Sequence, residues 1–116
     1  MTALALHEWE LACNSRDLVE GSGVCALVKG VQVAIFYLPQ LENSVFALDN
    51  HDPIGGANVL SRGIVGDLGG ELVIASPLYK QHFNLRTGAC LERDDVAVPV
   101  YRARLEKDRV LIALPA

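Results

Sequence analysis

The stretch VCALVKGVQVAIFYL, residues 24–38, decides the fold class. It reads as two β-rich runs, 24–28 and 31–38, joined at Lys29 and Gly30. Val, Ile, Phe and Tyr suit a pleated strand, and Gly30 can supply the positive φ that a tight hairpin turn requires. An antiparallel pair is the expected result. Cys25, inside the first run, is expected to be a small buried apolar thiol.

The same period of two recurs on both sides of this pair. Upstream, residues 7–12 predict a strand, and residues 15–18 form at most one helical turn. Downstream, SVFALDN (44–50) predicts a short strand, and SRGIVGDLGGELVIASP (61–77) predicts two more around DLGG. There Gly66, Gly69 and Gly70 leave little room for a helix. HFNLRTG (82–88) reads as a strand ending in a turn at Thr87 and Gly88. In the tail VPVYRARLEKDRVLIAL (98–114), Val98, Val100, Arg102 and Arg104 alternate with Tyr101, Ala103 and Leu105 before a turn near Lys107 and Asp108. Residues 109–114 return as the second arm of that hairpin. The reading is an all-β chain, with no repeat, low-complexity tract or linker.

A chain of 116 residues, 51% of them hydrophobic, is the size of one domain, 1–116, and buries roughly two-thirds of its unfolded surface. Such a core needs neither metal nor disulfide for stability. Cys13, Cys25 and Cys90 are odd in number, widely spaced and free of any CxxC, which argues against a disulfide framework and a zinc knuckle. Ten basic against fourteen acidic residues give a net charge of −4 with no basic stripe, so nucleic acid is not an expected partner. The longest apolar runs are too short to span a bilayer and no signal-like segment opens the sequence, so a cytoplasmic protein without a membrane partner is expected.

Between the strands lie two loop segments that carry chemistry in one known family. The first is NHDPIGGANVL (50–60) and the second ASPLYKQHFNLRTGAC (75–90). Their order between an "ALDN" strand and a final hairpin resembles the Rieske ferredoxins over most of the chain. In that family the first loop reads Asn-x-Cys-Pro-His and the second Cys-Pro-x-His, followed by Phe, Leu and Thr-Gly. The frame fits at Asn50, Pro53, Gly56 and Ala57, then at Pro77, Phe83, Leu85, Thr87 and Gly88. The ligands depart from it: the two Cys positions hold Asp52 and Ser76, and the two His positions hold Ile54 and Tyr79. The interval between the loops is also longer than in the usual Rieske ferredoxins. The resemblance thus implies an iron-sulfur-protein β-sandwich or barrel, with residues 49–90 as an emptied cluster-binding subdomain.

A Rieske [2Fe-2S] centre needs two thiolates on one iron and two imidazoles on the other. Isoleucine offers no lone pair, and no other cysteine is placed to compensate. A mononuclear site from His51, Asp52 and His82 is the one metal alternative, but loop histidines are more often solvated or hydrogen-bonded. Asp52, Asp67, Asp94 and Asp95 read as turn and surface residues. No nucleophile motif, P-loop or dinucleotide fingerprint is present.

Within the Rieske-like group, GANVLSRGIVGD and SPLYKQHFNLRTGAC resemble the small subunits of assimilatory NAD(P)H-dependent nitrite reductases. That resemblance implies an accessory chain without a redox centre, and a large-subunit partner carrying FAD, an iron-sulfur cluster and siroheme. Pro53, Ile54, Pro77, Leu78 and Tyr79 would form an apolar tip suited to docking that partner. The competing reading is that Ile54 and Tyr79 pack together in the volume the cluster vacated. Another function remains open, a free-standing interaction module serving another reductase or oxygenase.

Overall fold

A computed structural model describes residues 7–115. The strands are β1 (His7–Asn14), β2 (Gly23–Val28), β3 (Val31–Tyr37), β4 (Val45–Asp49), β5 (His51–Asp52), β6 (Ala57–Asn58), β7 (Ile64–Leu68), β8 (Glu71–Ala75), β9 (His82–Asn84), β10 (Val100–Glu106) and β11 (Arg109–Pro115). Six of them form one antiparallel sheet in the order β1-β11-β10-β4-β3-β2. Its two edges, β1 and β2, also touch, so the sheet curls into a nearly closed barrel. A smaller unit holds the β5–β6 ladder and the three-stranded sheet β7-β8-β9. The fold is all-β.

The local chemistry explains the elements. The β2–β3 turn places Gly30 at φ 80° and Lys29 at φ 48°, so both central residues take the left-handed conformation that matches the strand twist. The expected helical turn is a 3-10 turn at Ser15–Asp17, closed by the Asp17 carboxylate accepting the Asn14 N–H at 2.9 Å. The tail hairpin begins at Val100 rather than Val98, which lies buried in the preceding loop.

Two cores meet across β3 and β4. Val33, Ile35 and Ala47 face the barrel interior with Ala26, Val28, Val110 and Ile112. Ala34, Phe36, Phe46 and Leu48 face the other way, against Leu60, Ile74, Phe83 and Leu85 of the small unit. Burial on both faces is why residues 33–36 and 45–48 are apolar without interruption. It also clamps the small unit to the barrel. Gly88 tightens the junction: it sits at φ 80°, and a Cβ there would collide with the Val98 carbonyl.

Cys25 departs from expectation. The barrel takes Val24, Ala26 and Val28, so strand alternation turns Cys25 and Leu27 outward, and Cys25 is exposed. Cys90 is the buried thiol.

Candidate functional site

The loops after β4 and β8 follow one local path. Each starts with a small polar residue before proline, Asp52-Pro53 and Ser76-Pro77. In each, the N–H four residues on returns to the carbonyl of that first residue, Gly56 to Asp52 at 2.8 Å and Lys80 to Ser76 at 3.1 Å. The returning residue has positive φ in both, 76° at Gly56 and 64° at Lys80. Proline presets the turn and presents no N–H to satisfy.

The two loops join at their first residues. Asp52 and Ser76 are each 0% exposed, and the Ser76 hydroxyl donates to Asp52 Oδ2 at 2.5 Å. The other carboxylate oxygen, Oδ1, accepts the N–H groups of Ile54 at 2.8 Å and Gly55 at 3.0 Å. Ser76 Oγ in turn accepts the Leu78 N–H at 3.3 Å. Burial pushes the Asp52 pKa up, but the Ser76 hydroxyl, the Gly55 and Ile54 amides and nearby His51 outweigh it and hold the carboxyl below its usual range. Gly55 allows the close approach, since a Cβ there would strike the Leu78 side chain and sit 3.2 Å from Asp52 Oδ2.

Asn50 roots the first loop. Its side-chain amide donates to the Asn58 carbonyl at 3.1 Å, Gln32 Oε1 at 3.2 Å and Cys25 Sγ at 3.5 Å. Its Oδ1 accepts the Ser61 N–H at 2.7 Å. One buried side chain thus ties β2, β3 and both ends of the loop together.

The donor set does not fit a [2Fe-2S] cluster. The positions that would carry thiolates are hydrogen-bonded to each other. Ile54 is half-buried against the core of the small unit, whereas Tyr79 is 66% exposed. The two residues therefore part company, one packing inward and the other standing out. Pro53 and Pro77 are exposed and Leu78 is 41% exposed, so the outer tip is made by these three with Tyr79.

The histidines point elsewhere. His51 Nδ1 lies 2.9 Å from Asn58 Oδ1, and His82 Nδ1 lies 2.6 Å from Glu92 Oε2. Burial opposes ionisation of Glu92, but its hydrogen bonds from His82 lower its pKa overall. Among the described residues, no group of three His, Cys, Asp or Glu side chains is placed to hold a metal ion, so His51, Asp52 and His82 do not form one. The Asp52–Ser76 bond and the Asn50 hub were not foreseen from sequence. The bond had a signal, a complementary acceptor and donor in matching x-Pro positions.

The chain is similar to known proteins over most of its length. A family model described as the Rieske-like [2Fe-2S] domain matches residues 8–113. The nitrite reductase (NADH) small subunit of Salmonella typhimurium is 46% identical over 106 residues, covering 91% of this chain and 96% of that protein. The NMR structure of the Escherichia coli protein NirD superposes with a TM-score of 0.84 at 39% identity, covering 95% of this chain and 99% of that one. A segment of the Klebsiella oxytoca nitrite reductase NAD(P)H large subunit is 36% identical over 110 residues, which is 95% of this chain and 11% of that one. With the loop frame kept and its two thiolate positions tied to each other, the chain belongs to the Rieske-like [2Fe-2S] domain family and, within it, to the nitrite reductase (NADH) small subunits.

Proposed function

We propose that this chain, folding as one unit, is the accessory small subunit of a cytoplasmic nitrite reductase that reduces nitrite to ammonium with a nicotinamide donor. The observation that carries the reading is the closed tip. The loop frame of an electron-transfer protein is kept, while its thiolate positions form a buried Asp52–Ser76 hydrogen bond. A donor set so arranged cannot hold two irons, so electrons do not pass through this chain. FAD, an iron-sulfur cluster and siroheme, implied by the resemblance, then belong to the large subunit.

The tip becomes a contact surface. Pro53, Pro77, Leu78 and Tyr79 give it an apolar and aromatic outer face, with Ile54 as the inward anchor that holds the first loop in place. The Klebsiella oxytoca large subunit supports a physical association, because there a similar segment is part of the large chain itself.

Affinity capture of the tagged chain from nitrate-grown cells of its host tests the proposal. Recovery of a large flavin and siroheme protein with NAD(P)H-nitrite activity is the expected result. Recovery of an unrelated reductase or oxygenase, or of no partner, would overturn it in favour of an interaction module.

A further inference from the structure

Away from the tip, a groove of about 500 Å³ runs between the outer face of the barrel and the base of the small unit. Its walls gather three arginines, each with its guanidinium within about 6 Å of an aromatic ring centre. The Arg102 and Arg104 guanidinium carbons lie 5.6 and 4.3 Å from the Trp9 ring centre. The Arg86 guanidinium carbon lies 5.4 Å from the centre of Phe46. Strand register explains the cluster: Trp9 and Arg102 both pair with Ala113 from opposite sides, which puts them on one face of β1-β11-β10. Arg104 also reaches Glu106, at 3.2 Å. Among the described residues, no carboxylate pairs with Arg86 or Arg102, although the chain as a whole is acidic at −4.

A guanidinium stacked on a ring is held flat, with its N–H edges facing outward in the fork that matches a carboxylate. The groove also runs where a ladder stops. β10 and β4 share only the pairs Val100–Leu48 and Tyr101–Ala47, so along the groove they no longer ladder with each other, while β10 stays paired with β11 and β4 with β3. Cationic forks along the gap where two strands part suit an extended chain bearing carboxylates.

We propose that this groove seats an acidic, extended peptide segment of the large subunit, as a second contact separate from the loop tip. The proposal rests on the reading that the chain has such a partner. Arg86 and Arg102 supply the free forks, and Trp9 and Phe46 are the plates that orient them.

Trp9 is the sole tryptophan and so reports on the groove directly. A Glu-Val alternating octapeptide is titrated while its emission is followed, with the Lys-Val peptide and inorganic pyrophosphate as parallel probes. In the same study the full-length chain and its Arg86→Gln/Arg102→Gln variant are measured for affinity to the large subunit at several salt concentrations. The acidic peptide should shift Trp9 emission saturably and the basic peptide should not. The variant should melt at the wild-type temperature yet bind the large subunit roughly 10-fold or more weakly, with a shallower salt dependence. A variant that binds like wild type overturns the groove and leaves the partnership standing. Wild type failing to bind overturns the partnership, and the groove assignment with it. A response to pyrophosphate but not to the acidic peptide replaces the peptide with a small phosphate ligand and overturns the proposal.

Discussion

Replacing Ser76 by alanine removes the hydroxyl that closes the two loops, and the structure sets the size of the effect. Asp52 is fully buried and accepts three hydrogen bonds, two at Oδ1 and that of Ser76 at Oδ2. Without Ser76, Oδ2 keeps its burial and loses this donor. A hydrogen bond to a buried charged group contributes about 1.5–3 kcal/mol, so a loss of about 2 kcal/mol is expected. For a domain of this size that is a fall of roughly 8 °C in melting temperature at neutral pH. The pH dependence carries a sign that packing loss alone would not give. The Asp52 pKa is lowered from its ordinary value of 3.8, so the stability it confers is fully present above 3.8 and is lost as pH falls through the folded-state value. The variant has less of this stability to lose. Its deficit should hold constant from pH 7 to about 5 and narrow below 3.8. Urea titrations of both proteins at pH 7 and pH 3 read this directly. An unchanged melting temperature at pH 7, or a deficit undiminished at pH 3, would refute the reasoning.

Gly88→Ala should be among the most damaging single changes, because it combines φ 80° with a clash against the Val98 carbonyl. A loss of about 3 kcal/mol or more is expected in urea unfolding. Phe83, fully buried between the small unit and the barrel, should cost about 3–5 kcal/mol when cut to alanine. A thiol reagent should modify exposed Cys25 readily in the native protein and buried Cys90 only after unfolding. Although the residue is exposed, partial desolvation of its sulfur pushes the Cys25 pKa above its ordinary 9.0, so its modification rate should keep rising as pH passes that value.

The strands were legible because alternating and β-branched runs are punctuated by turn residues whose chemistry is local, as at Lys29-Gly30 and DLGG. β5 and β6 were not, since strands of two residues carry no periodicity, and the 3-10 turn at Leu60–Arg62 lies inside a loop that gave no helical signal. Cys25 was misplaced because β2 is apolar on its outer face as well, which conceals which set of residues the barrel takes. In the loops, the loss of cluster ligands could be read residue by residue. That Asp52 and Ser76 bond to each other, and that Ile54 turns inward while Tyr79 turns outward, depended on how two segments 24 positions apart meet in space. The arginine groove likewise assembles from β1, β10 and the turn after β9. No single stretch of sequence contains it.

The central claim is that the closed tip is now a contact surface, and Tyr79→Ala tests it most directly. With 66% of the residue exposed, its removal should leave stability within about 0.5 kcal/mol of wild type. Affinity for the large subunit, measured alongside the melting temperature, should fall at least about 10-fold. Binding unchanged by the substitution would contradict the account.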